Sequence, residues 1–94
     1  MNINEAVKNL ENVTLVDVRM PNEFADGHIP GAKNVPLMEL VKAGNYLPDK
    51  AASIYVYCQS GARSKRAAGI LQKLGYANVT DLGGISGYIG ALEK

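Results

Sequence analysis

Ile54-Tyr55-Val56-Tyr57-Cys58-Gln59-Ser60-Gly61-Ala62-Arg63-Ser64 carries the chain from an apolar run, through a short polar loop, into a helical pattern. Ile54 to Tyr57 has strand length and lacks polar alternation, as expected of a strand buried on both faces. From Ser64 to Leu74, Ala67, Ile70, Leu71 and Leu74 recur at helical spacing, with Lys65, Arg66, Gln72 and Lys73 on the opposite face. Gly75 supplies the stop signal. Val79 to Leu82 is a short strand, so residues 54 to 82 read as one strand, helix, strand unit with a right-handed crossover.

Outward from this unit, Val13 to Val18 is a second buried strand, and shorter helices fit Asn4 to Asn9, Pro21 to Ala25, Leu37 to Ala43 and Ser86 to Leu92. Such alternation implies an α/β fold, a parallel sheet covered by helices. Segments 27 to 36 and 44 to 53, rich in Gly and Pro, read as loops.

At 94 residues the chain supports one compact domain, burying about 60–65% of its unfolded surface. With 47% hydrophobic residues, 20% charged residues and a formal net charge of +1, it lacks the global field used in binding nucleic acid or anionic membranes. Neither partner is expected. Residues 1 to 5 have no signal-peptide pattern, and no run approaches the ~20 apolar residues of a membrane span, so a cytoplasmic protein is expected. The single Cys58 excludes an internal disulfide and a four-thiolate metal site, and the solitary His28 argues against a metal centre.

Cys58 therefore carries the chemical signal. It stands where a buried strand ends and a helix is about to begin, the place where open parallel sheets hold ligands. Four residues separate it from Arg63, and so short a loop can curl its backbone N–H groups around the sulfur as an anion nest. Gly61 permits a positive-φ turn, and the helix beginning near Ser64 adds free N–H groups and a positive dipole end. Both favour a thiolate, which makes Cys58 a nucleophile at neutral pH. The alternative is a core cysteine followed by a turn and a solvated helix start. A glycine-bearing loop, an arginine and a well-patterned helix following in order favour the anion-binding cysteine.

These residues resemble the rhodanese family of sulfurtransferases over almost the whole chain. Asp17-Val18-Arg19, Glu23-Phe24 and Gly27-His28-Ile29-Pro30-Gly31-Ala32 with Asn34 and Pro36 match that family's N-terminal signature. Cys58, Gly61, Arg63 and Ser64 match its active loop, and Leu82-Gly83-Gly84 its C-terminal motif. The resemblance implies a single rhodanese domain over residues 1 to 94, with an open parallel sheet of about four to five strands flanked by helices on both faces. The N-terminal segment is too short for a full first strand, leaving Asn2 and Ile3 as its remnant, so that edge strand is expected to be short or absent. Tyr88 stands where the family often has tryptophan.

The resemblance further implies a ping-pong sulfurtransferase. The Cys58 thiolate takes the outer sulfur of a small anionic donor such as thiosulfate, releasing sulfite and leaving a persulfide. A thiol or cyanide acceptor, or a protein of a sulfur relay, then removes that sulfur. Cys58 is the expected catalytic residue. Gln59, Ser60, Gly61, Ala62, Arg63 and Ser64 form the expected substrate-binding loop, with Arg63 and the Ser64 hydroxyl orienting the donor's oxygens. No metal or organic cofactor is required. Lys65 and Arg66 fit either anion attraction or a solvated helix face.

Asp17, Arg19, Glu23 and His28 are expected to be structural, with Arg19 pairing Glu23 four residues on and His28 hydrogen-bonded in a rigid loop. Tyr55 and Tyr57 are expected to pack. Cysteine phosphatases and arsenate reductases of similar fold are the rival class, but they place five residues between Cys and Arg and provide an acid that this loop lacks. A non-catalytic sulfur-carrier or regulatory module is the other alternative.

Overall fold

The two faces of the central strand set the layers of the molecule. In this computed structural model, which describes residues 2–94, Ile54, Val56 and Cys58 point to one side of the sheet and Tyr55 and Tyr57 to the other. That is the period-2 alternation of a strand, here apolar on both sides because both are covered. On the first side, Val16, Val18, Val35, Leu40, Ala43 and Leu47 pack with Ala67 and Leu71. On the second, Leu15, Ile29, Tyr57 and Leu82 pack with Ile3, Ala6 and Ile85.

The elements in order are α1 (Ile3–Ala6), β1 (Val13–Asp17), α2 (Pro21–Asp26), β2 (Lys33–Asn34), a 3-10 helix (Leu37–Asn45), β3 (Ser53–Cys58), α3 (Ala62–Lys73), β4 (Asn78–Gly84) and a 3-10 turn (Ile85–Gly87). The four strands are parallel and ordered β2-β1-β3-β4. Asp17 lies beside Tyr57, so the carboxyl ends of β1 and β3 adjoin. The expected α/β architecture is present, and among the described residues the N-terminal segment forms no strand, in keeping with a first edge strand expected to be short or absent. Asn2 instead caps α1, its side chain accepting the Glu5 N–H at 2.9 Å.

Local boundaries depart from expectation where tertiary contacts override pattern. The 27 to 36 segment contains β2, two residues too short for any periodicity to mark. The Leu37 segment is 3-10 and breaks at Lys42 (φ −110°, ψ 28°). Helix α3 starts at Ala62, two residues before the expected Ser64. No helix runs from Ser86 to Leu92: only Ile85–Gly87 forms a turn, and Glu93 then pairs with the His28 backbone through two 2.8 Å hydrogen bonds. Gly87 and Gly90 weaken a helix there, while the strap to His28 satisfies the same backbone in an extended form. No helix among the described residues is long and apolar enough to cross a membrane.

Candidate active site

Cys58 is the last residue of β3, and its side chain, 1% exposed, lies under a loop that closes into α3. The Gly61 N–H points at its sulfur, 3.0 Å away. Gly61 reaches that orientation at φ 108°, in the left-handed region that glycine adopts without penalty. Burial pushes the Cys58 thiol up, but the Ser64, Gly61 and Arg63 amides and the Ser64 hydroxyl together outweigh it and hold the thiol below its ordinary value. Converging amides thus favour the thiolate, as the loop pattern implied.

The tip of β4 braces this loop. Gly84 faces Cys58 across a register shift, and the Ser86 N–H donates to the Gln59 carbonyl at 3.2 Å. A β-carbon on Gly84 would stand only 2.5 Å from the Gln59 carbonyl oxygen. Absence of a side chain there is what lets β4 approach the loop. Ser64 is fully buried, its hydroxyl 3.1 Å from the Gly61 carbonyl and 3.2 Å from the Gly83 carbonyl. The hydroxyl has one proton for these acceptors, and an anionic sulfur competes with the carbonyls for it.

Of the six loop residues expected to bind substrate, Gln59, Ser60 and Ala62 are exposed at the mouth, whereas Gly61 and Ser64 turn inward. The Arg63 guanidinium is engaged elsewhere. It grips the Glu23 carboxylate through two hydrogen bonds of 2.7 and 2.9 Å, across 40 residues of sequence. The Arg63 hydrogen bonds, joined by one from the Met20 N–H, lower Glu23 to about 2.

Glu23 is thus not the partner of Arg19. Arg19 instead folds back on Asp17, two residues earlier, with its Nη2 2.7 Å from Oδ2 and its Nε 3.0 Å from both carboxylate oxygens. An extended strand end lets side chains two residues apart lie on one side, whereas the four-residue spacing works only on a helix, and Arg19 precedes α2. Both members are buried, and the remaining Arg19 donors meet the Gly27 carbonyl at 2.7 Å and the Gln59 side chain at 3.4 Å. The pair ties β1, the α2 exit and the loop together.

His28 is structural, as expected: its ring stacks on Phe24 at 3.7 Å and its backbone holds Glu93. Tyr57 is buried and packs, and its hydroxyl also accepts the Ile29 N–H at 3.1 Å. Lys65 and Arg66 are exposed on α3. Among the described residues, no group of three or more His, Cys, Asp or Glu is placed to hold a metal. Beside the loop lies an open cleft of about 300 Å³, lined by Arg19, Glu23, Asp26, Gln59, Ile85 and Tyr88. Glu23, Arg63 and Gly84 all lie in motifs the resemblance marked, but the pairing of Glu23 with Arg63 and the bracing role of Gly84 had no local signal, since both depend on contacts between distant segments.

A buried cysteine, met by a loop amide at the carboxyl end of a parallel sheet, places this chain among α/β proteins with a cysteine-containing loop at a strand-to-helix junction. Comparison with known proteins resolves the class further. The family described as the rhodanese-like domain matches residues 2–91, and the chain belongs to that family. It is 48% identical over 71 residues to YqhL of Bacillus subtilis (strain 168), covering 74% of this chain and 55% of that protein. To the thiosulfate sulfurtransferase PspE of Escherichia coli (strain K12) it is 38% identical over 71 residues, covering 74% and 68%. The chain therefore spans about half the length of the first relative and about two thirds of the second. A solved structure described as a rhodanese with anions from E. coli aligns with a TM-score of 0.80 at 34% identity, covering 87% of this chain and 98% of that one.

Proposed function

We propose that this chain is a rhodanese-type sulfurtransferase, moving sulfane sulfur from a donor to a thiol or cyanide acceptor through a persulfide on Cys58. The observation that carries this reading is the Gly61 N–H directed at the Cys58 sulfur at 3.0 Å, within a ring of amides that lowers the thiol's proton affinity. Membership of a family that includes a named thiosulfate sulfurtransferase supports it. The same amides would stabilise the terminal sulfur anion of a Cys58 persulfide in a site largely shielded from water. With thiosulfate, the Cys58 thiolate forms a bond to the outer sulfur, the sulfur–sulfur bond breaks, and sulfite leaves with the bonding pair. An acceptor then attacks the outer sulfur and restores the thiolate.

No second cysteine is present to resolve the persulfide within the chain. The acceptor is then a small thiol, or a cysteine outside these 94 residues on a segment narrow enough to reach the recessed sulfur. Intact-mass spectrometry of reduced protein after thiosulfate or polysulfide treatment tests the reading. The expected result is the gain of one sulfur by wild type, none by Cys58→Ser, and its loss on adding cyanide. Absence of any adduct from both donors would overturn it.

A further inference from the structure

Two of the arginines around the loop are already paired. Arg63 is gripped by Glu23 through two hydrogen bonds and Arg19 by buried Asp17, while Asp26 stands exposed on the same cleft. These five groups sum to one net negative charge at neutral pH. Arg66 forms no ion pair among the described residues and lines a neighbouring groove with Arg63, Met20, Leu37, Met38, Val41 and Ile70. The walls of the cleft beyond the charges are Ile85, Tyr88 and Leu92, which offer apolar surface to a donor's body.

We infer that Glu23 is a specificity-determining residue, which occupies the Arg63 guanidinium and so sets the loop to take sulfur from thiol-borne persulfides in preference to thiosulfate. The inference rests on the sulfurtransferase reading above. Its physical basis is the charge assembled at Cys58. Attack of the thiolate on a neutral persulfide, RSSH, brings together one negative charge. The Cys58 Sγ bonds to the outer sulfur, the donor's S–S bond breaks, its bonding pair passes to the RS sulfur, and the proton moves there too, leaving RSH and the Cys58 persulfide anion. The corresponding step with thiosulfate brings together three negative charges, with the charge of the Arg63 guanidinium already offset by Glu23. The amides of the loop serve either donor, so the difference falls on the oxyanion.

The test measures sulfur gain at Cys58 by intact mass under single-turnover conditions, with thiosulfate and with the persulfide of 2-mercaptoethanol, for wild type, Glu23→Gln and Glu23→Asp. Wild type is expected to load faster from the persulfide at equal concentration. Glu23→Gln keeps an acceptor for the Met20 N–H but frees the charge of Arg63. The thiosulfate-to-persulfide ratio of loading efficiencies should rise about fivefold, the effect of one added charge at close range in a watery site. The gain should appear in the apparent dissociation constant for thiosulfate rather than in its limiting rate. Glu23→Asp retains the anion and should return the ratio toward that of wild type. An unmoved or falling ratio in Glu23→Gln, or a wild-type preference for thiosulfate, overturns the inference while leaving sulfur transfer intact. Failure of wild type to load from either donor overturns both.

Discussion

Replacing Gly84 by alanine tests whether the tip of β4 sets the geometry of the cysteine loop. Gly84 has φ −109° and ψ 144°, a conformation open to any residue, so the substitution adds no backbone strain. The obstacle is contact: its β-carbon would lie 2.5 Å from the Gln59 carbonyl oxygen and 2.9 Å from two Ser60 backbone atoms, where ordinary contact begins at 3.4 Å. Every one of these atoms is backbone, so no side chain can swing aside. The loop and β4 must separate by the difference between 3.4 and 2.5 Å, about 0.9 Å. Overpacking of this kind costs about 1–3 kcal/mol, which in urea lowers the unfolding midpoint by about 1–2 M. Displacement by nearly 1 Å also withdraws amides from the sulfur, for which a loss of about 100-fold in sulfur loading is expected. Urea unfolding and the rate of Cys58 alkylation by iodoacetamide near neutral pH read the two effects separately. Gly87→Ala is the control, because nothing lies within 4 Å of a β-carbon there. If Gly84→Ala unfolds and alkylates like wild type, the brace is irrelevant and the reasoning fails.

Further outcomes follow from the charged and polar groups around the loop. Alkylation of Cys58 should show a midpoint pH below the ordinary thiol value, and Ser64→Ala should move it up by removing the hydroxyl beside the sulfur, as a pH series of alkylation rates would show. Asp17→Asn leaves the Arg19 guanidinium buried beside a neutral partner and should cost about 3–5 kcal/mol, read by urea unfolding. Glu23, lowered from 4.5 to about 2, contributes stability that is fully present above about pH 4.5 and is lost as pH falls toward 2. The stability advantage of wild type over Glu23→Gln should therefore narrow across that acid range in thermal unfolding. A gap independent of pH would show that the Glu23–Arg63 pair contributes nothing through its charge.

The legible parts of this protein share a physical cause. Ile54 to Tyr57 and Val13 to Val18 are continuous apolar runs because strands covered on both faces have no solvent side, and such runs are visible without a partner. The cysteine loop is likewise contiguous from 58 to 64, so its glycine and the helix behind it could be assigned from one stretch of chain. Two-residue β2 carries no periodicity, and its pairing of Lys33 with Val16 and Asn34 with Asp17 is a matter of register. The tail after Gly87 had a plausible helical spacing that lost to a backbone strap onto His28.

Sequence alone determined the class of fold, the order of the main elements and the place of Cys58 at a strand-to-helix junction, because these depend on neighbours within a few residues. Tertiary structure decided which charges meet. Arg19 and Glu23, four residues apart and apparently a pair, were separated because β1 ends extended and turns Arg19 back onto Asp17, while α3 delivers Arg63 to Glu23 from 40 residues away. It also decided that position 84 must lack a side chain, since only folding brings β4 against the loop. Ion pairing and close approach are set by geometry between distant segments, and no local pattern encodes that geometry.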